Sequence, residues 1–147
     1  MNKAESADLI MKLYDLRREE KMRAARDWFV AFFPESIDDV MQAMIDENSS
    51  AYYRMVISYW DMAASFVNRG AIDEEMFNET VGEHIVVFSK IAPFLEELRE
   101  KFQNPNMYGN LEKLIMRMPD AKEMLTKRRE LMKVWMQKRA ELAKGAV

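Results

Sequence analysis

One series of positions between residues 77 and 102 constrains the fold of this chain more than any other feature of its sequence. Its members are separated by four, three, four, three, four, three and four residues, and all but one are apolar: Phe77, Val81, His84, Phe88, Ile91, Leu95, Leu98 and Phe102. This spacing places every member on one side of an α-helix. We therefore predict a long helix over about residues 73–102. It should be kinked near Pro93, because proline cannot donate the hydrogen bond to the carbonyl four residues earlier.

The same helical spacing recurs elsewhere, and the residues that would interrupt it are scarce. The 147 residues include only 4 Gly and 4 Pro, which leaves little room for the many tight turns of an all-β domain. Two apolar stripes near the N-terminus are out of phase, and the phase changes at residues 17–21: Leu9, Leu13 and Leu16, then Met22, Ala25, Phe29 and Phe32. The change predicts a kink or a short break between two helices, and one long helix over residues 6–33 is the alternative.

These patterns predict an all-α, single-domain helical bundle of six or seven helices. The segment 51–69 is apolar nearly all round, so we expect it at the centre of the bundle. We divide the chain into a bundle core, residues 1–119, and a basic amphipathic C-terminal helix, residues 120–147. That helix is expected to pack on the bundle or on a partner subunit.

The amino-acid composition excludes most kinds of catalytic site and metal site. With no Cys, the chain has no disulfide, no thiolate zinc site and no cysteine nucleophile, and its single His cannot supply a two-histidine metal site. The sequence also contains no glycine-rich phosphate loop and no nucleophile elbow. We therefore predict a protein that is not an enzyme and has no catalytic, cofactor-binding or metal-binding residues.

Two weak candidates for a polar site remain. Arg54, Ser58 and Asp61 share a face of the central helix, where they could line a groove for a small ligand or a partner helix. The alternative is a solvent-facing edge, or pairing with neighbouring elements. His84 lies on the apolar stripe, where it could act as a general base or a pH sensor. The alternative for His84 is a buried core histidine with one hydrogen-bond partner.

The C-terminal segment differs from the rest of the chain in its charge. Residues 120–147 hold 8 Lys and Arg against 4 Asp and Glu, whereas residues 1–119 hold 14 against 21. Its candidate interaction residues combine cations with large apolar side chains: Arg128, Met132, Trp135, Met136 and Arg139. A basic helix of this kind suits a groove on a partner protein or an anionic membrane surface.

From these features we predict a non-enzymatic helical interaction or structural domain that self-associates, with a homodimer favoured. The alternative is a peripheral membrane-surface or anionic-ligand binder acting through the basic C-terminal helix. Nucleic-acid binding is not expected, since no basic stripe accompanies a known nucleic-acid-binding fold. Residues 1–8 are polar and no apolar signal region follows them, so the expected location is the cytoplasm.

Five segments between residues 7 and 118 carry a resemblance to a known group of proteins. They are LYDLRR at 13–18, ARDWF at 25–29, RGAIDEE at 69–75, APFLEELR at 92–99 and NMY at 106–108. In these segments the chain resembles a group of bacterial all-helical domains of unknown function. The resemblance implies an all-helical fold and brings no activity with it. Members of the group are often preceded by a membrane anchor, and no such anchor is expected within these 147 residues.

Overall fold

The computed structural model describes residues 2–145, and in this range it contains nine α-helices, one short 3-10 helix and no strand. The prediction of an all-α bundle is confirmed, and the described residues form more helices than the six or seven predicted. The α-helices are α1 (Lys3–Arg17), α2 (Glu20–Ala31), α3 (Ile37–Ile45), α4 (Ser50–Asn68), α5 (Glu74–Thr80), α6 (Glu83–Ile91), α7 (Leu95–Lys101), α8 (Gly109–Met116) and α9 (Ala121–Gly145). No helix within residues 2–145 has both the length and the apolar composition needed to cross a bilayer.

α4 lies at the centre of the bundle, as its largely apolar circumference predicts. It packs mainly against α2 and α8, and also against α3 and α5. Its buried side chains include Tyr53, Trp60 and Ala63. The indole N–H of Trp60 donates to the carboxylate of Glu83 at 3.0 Å, so the largest side chain of the core also has a hydrogen-bond partner.

The interval predicted as one kinked helix, residues 73–102, is divided into α5, α6 and α7. Val81 is extended (φ −130°, ψ 132°) and Gly82 precedes α6, because a β-branched residue followed by glycine has low helix propensity. A 3-10 turn, Ala92–Phe94, surrounds Pro93 and separates α6 from α7. Seven of the eight stripe positions are nonetheless buried, and only Phe102 is exposed. The three short helices therefore present one continuous apolar side to the core.

The change of phase at residues 17–21 marks a break between two helices. α1 ends at Arg17 and α2 begins at Glu20. The carboxylate of Glu19 accepts hydrogen bonds from the backbone N–H groups of Lys21 (3.1 Å) and Met22 (2.9 Å), and so caps the start of α2. The chain therefore forms two helices here rather than one.

α8 receives its N-terminal cap from α4. Tyr108, the residue before α8, has a left-handed backbone (φ 55°) and makes no capping hydrogen bond with its side chain. Instead, the carboxylate of Asp61 accepts from the backbone N–H of Leu111 (3.1 Å) and from the side-chain amide of Asn110 (3.1 Å). A carboxylate at this position also interacts favourably with the helix dipole. Asp61 therefore joins the central helix to α8.

Replacing Asp61 with Ala should lower the free energy of unfolding by about 1–2 kcal/mol, because the first turn of α8 loses its cap and Asn110 loses its partner. Urea unfolding followed by circular dichroism measures this change. Ser58→Ala is the matched control, since Ser58 is exposed on the same helix and its hydroxyl donates only to the carbonyl of Arg54. The control should change stability by less than about 0.5 kcal/mol. Equal stabilities for Asp61→Ala and the wild type would contradict the capping role.

Candidate functional site

The first half of α9 packs on the body of its own chain. Ala121 and Leu125 are buried, and Met132 and Met136 are half-buried on the same side of the helix. At about 100° per residue, these four positions fall within an arc of about 60°. We call them the inner face of α9. Through it, α9 packs mainly on α6 and also on α8.

Arg129 joins α9 to the body through its side chain. Its guanidinium donates to the backbone carbonyls of Lys90 (3.1 Å) and Pro34 (2.5 Å). It also lies 4.3 Å from the ring centroid of Phe33 and 5.5 Å from that of Phe94, and a guanidinium gains from both kinds of contact. Arg129 thus ties α9 to α6 and to the segment between α2 and α3. The sequence analysis missed it, because three cations follow one another here and nothing in the sequence shows which one turns inward.

Lys90 is a second residue that the sequence analysis missed. Its side chain is buried, and its ammonium donates to the carbonyls of Phe29 (2.7 Å) and Val30 (3.0 Å). These carbonyls belong to the last turn of α2, where the helix dipole favours a cation. The carbonyl of Phe29 also accepts from the backbone N–H of Phe32 at 3.2 Å. Burial lowers the pKa of Lys90 to about 8, and the nearby Arg129 acts in the same direction. No sequence signal identifies such a lysine, since most lysines are exposed.

A second line of residues runs along α9 beside the inner face. Its members are spaced four, three, four, three and four residues apart: Met124, Arg128, Leu131, Trp135, Lys138 and Leu142. The first two residues of this line, Met124 and Arg128, are half-buried, with Met124 packed against the core, whereas the residues of the line from Leu131 onwards are exposed. We call this line the outer seam, and it is centred about 90° around the helix from the inner face. Its exposed apolar side chains are Leu131 (51%), Trp135 (61%) and Leu142 (74%). Every residue from 137 to 145 is exposed, so the last part of α9 is not covered by its own chain.

The five predicted interaction residues divide between the two sides of α9. Arg128 and Trp135 belong to the outer seam, whereas Met132 and Met136 belong to the inner face. Arg139 is exposed in the part of α9 that extends beyond the body. The exposed apolar surface along this line is therefore built on Leu131, Trp135 and Leu142 rather than on Met132 and Met136. Arg128 and Lys138 occupy two positions of the outer seam, so the four–three spacing is not apparent when only the apolar residues are counted.

The predicted polar line on α4 is divided as well. Arg54 and Ser58 are exposed, while Asp61 caps α8. Farther along α4, the side-chain amide of Asn68 donates to a backbone carbonyl at the start of α8 (3.0 Å). The structure thus brings Asp61 and Asn68 together at α8, and Arg54 stands apart from these contacts. Within residues 2–145, no three His, Asp or Glu side chains are grouped in a way that could hold a metal ion.

His84 is fully buried among aromatic rings. Its ring centroid lies 5.0 Å from that of Phe77 and 5.9 Å from that of Trp60. Neither of its ring nitrogens has a hydrogen-bond partner among the described residues, whereas the core alternative anticipated one. Burial lowers the pKa of His84 to about 4, and the guanidinium of Arg128 acts in the same direction. The imidazole is therefore neutral at pH 7 and acts as a packing group.

Comparison with known proteins places the chain in a family. It belongs to the family described as a domain of unknown function, DUF4760, which matches residues 3–118. No curated protein and no solved structure matches the chain. The matched residues include α1 to α8 and end before α9 begins at Ala121. The match therefore concerns the body of the bundle, and α9 with its outer seam lies outside it.

The burial of His84 should make stability depend on pH. The pKa of His84 is about 4 in the folded protein, against an ordinary value of 6.5, so the unfolded chain binds the proton more tightly. The stability that is present above about pH 6.5 is then lost progressively as the pH falls towards 4. Between pH 7 and pH 5 this loss should be about 2 kcal/mol, measured by urea unfolding at each pH.

The matched control for this loss is His84→Leu, which cannot titrate. Its stability should fall by about 2 kcal/mol less than that of the wild type between pH 7 and pH 5. Because His84 is the single histidine of the chain, its ring signals also give one unambiguous titration by NMR. A midpoint near pH 6.5 in the folded protein would contradict the burial described above.

Proposed function

We propose that the protein is a cytoplasmic, non-enzymatic interaction domain that self-associates through the outer seam of α9. The exposed apolar surface of that seam carries the proposal. Leu131, Trp135 and Leu142 are each at least half exposed, and Leu142 lies in the part of α9 that extends beyond the body of its own chain. A continuous apolar line on an exposed helix is typical of a protein contact. Covering it stabilises the complex by about 25 cal/mol for each Å² of apolar surface removed from water.

A second copy of the chain has the same outer seam, and this seam can pack against the first one. The spacing of four and three residues is that of a coiled-coil seam, and two such seams pack by fitting the side chains of one helix between those of the other. A two-fold pair uses the same surface on both copies, so one exposed seam per chain is sufficient. Charge supports the pairing, because residues 120–147 carry a net +4 and residues 1–119 a net −7. Each basic helix is therefore attracted by the acidic body of the other copy.

The distribution of the cations favours a protein partner over a membrane surface. At about 100° per residue, the eight Lys and Arg side chains of residues 120–147 point in directions that cover most of the helix circumference. A helix that lies in a membrane interface instead keeps one side apolar and inserts that side among the lipid chains. Arg128 and Lys138 stand within the outer seam itself, so insertion of the seam would carry both charges towards the apolar layer.

The mass of the protein in solution should depend on the outer seam. We expect sedimentation equilibrium at about 50 μM to give a dimer of the 17.4 kDa chain. Leu131→Glu should give a monomer, because it places a charge in the contact. Met11→Glu is the matched control, since Met11 is 62% exposed on α1, and it should leave the dimer unchanged. Lys138→Leu should tighten the dimer by about tenfold, because it removes a cation from the seam.

A wild-type chain that stays monomeric under these conditions, together with an equally monomeric Lys138→Leu variant, would overturn the proposal. If such a monomer bound anionic vesicles at low salt, the membrane alternative would replace it. A dimer that Leu131→Glu leaves intact would place the contact elsewhere and would overturn the role of the outer seam.

A further inference from the structure

We infer that two copies pair their outer seams in antiparallel orientation, with the two-fold axis passing at the level of residue 133. The inference rests on the proposed self-association and adds which ends of the two helices meet. Four apolar members of the seam are placed symmetrically about that residue. In the antiparallel pair, Leu131 lies opposite Trp135 of the second copy, and the exposed part of the half-buried Met124 lies opposite Leu142 of the second copy. Each large apolar side chain therefore meets another one.

Charges on the edge of the seam distinguish the two orientations. Lys127 and Glu141 stand on the same edge, about 40° apart around the helix. Antiparallel pairing brings like edges together, so Lys127 meets Glu141 of the second copy, and the two-fold axis repeats this contact. Lys127 is exposed, and its ammonium lies 3.0 Å from the carboxylate of Glu123, which stands on the same edge.

A parallel pair lacks these contacts. It would set the edge that holds Lys127 and Glu141 against the opposite edge of the second copy, which holds Arg139 and no acidic residue. Leu125 and Met132 also lie on that opposite edge, where they belong to the inner face of their own chain. Arg128 and Lys138 meet a like charge in either orientation. They therefore weaken the dimer without deciding how the helices run.

Charge at longer range favours the antiparallel pair too. Residues 131–145 hold four Lys and Arg against one Glu. Antiparallel pairing lays this basic segment beside the first half of α9 and the acidic body of the second copy. Parallel pairing would lay two basic segments beside each other, away from both bodies. Opposite charges attract and like charges repel across a contact, so the first arrangement is the more stable.

The outer side of α9 also has a groove in which the end of the second helix can bind. A shallow cleft of about 320 Å³ lies along the first half of α9, with Asp120, Glu123, Met124, Lys127, Arg128 and Leu131 as its lining. The antiparallel register brings Leu142 of the second copy to Met124 in this cleft. The same register brings Lys144 of the second copy to the level of Glu123.

Single cysteines test the orientation without background, because the chain has none of its own. Met124→Cys and Leu142→Cys, treated with a short bismaleimide, should cross-link when the two variants are mixed, and neither should cross-link alone. Lys133→Cys, on the side of α9 opposite the seam, is the control and should not cross-link in any combination. Cross-linking of Met124→Cys alone and of Leu142→Cys alone would establish the parallel pair. That result would overturn this inference and leave self-association intact, whereas a monomeric wild type would overturn self-association itself.

A charge exchange tests the register independently. Lys127→Glu and Glu141→Lys each place two pairs of like charges in the antiparallel dimer, so each should weaken dimerisation by about threefold or more. The double variant restores opposite charges at both contacts and should recover the affinity of the wild type. Lys133→Glu is the matched control, because it makes the same change of charge on the side opposite the seam. Equal weakening by Lys133→Glu, or a double variant as weak as the single ones, would overturn the register.

Discussion

Lys90 of α6 is the residue through which the end of α2 and the helix α9 are joined. Its ammonium satisfies two carbonyls in the last turn of α2, and its backbone carbonyl accepts a hydrogen bond from Arg129. One residue of α6 therefore connects α2 with α9. Removing an ammonium from water costs several kcal/mol, and the lowered pKa of Lys90 records that cost. The two carbonyls and the dipole of α2 offset it, because both favour a cation at this end of the helix.

The two halves of α9 have different surroundings: the first half lies against the body, and the last residues are exposed to solvent. The helix has 25 residues and a length of about 37 Å. Its contact with the body is made by the inner face, Arg129 and Met124. Because α9 is one continuous helix, Trp135 is held at a fixed direction away from the body rather than folding back onto it. The exposure of the outer seam is thus a consequence of helix geometry. This exposed surface is the feature on which the proposed self-association rests.

Local spacing was sufficient to predict the fold class and the central position of α4. It also located the change of phase between α1 and α2, but left open whether the chain forms a kink, a break or one long helix there. These predictions follow from where apolar residues recur along a helix, which the sequence states directly. The division of residues 73–102 did not follow, because the apolar spacing continues across Val81 and Gly82 as though the helix were unbroken. The candidate site was predicted in part. Arg128 and Trp135 lie on the outer seam, but Met132 and Met136 turn towards the body.

The sequence by itself determined that this chain is helical, which sides of its helices are apolar, and that its basic charge is concentrated after residue 119. Only the tertiary structure decided that Lys90 and Arg129 turn inward, that Asp61 caps a helix some fifty residues away, and that one apolar line of α9 is left in solvent. The physical reason is that periodicity gives the direction of a side chain around its own helix axis. Which of those directions meets another helix depends on how the helices pack.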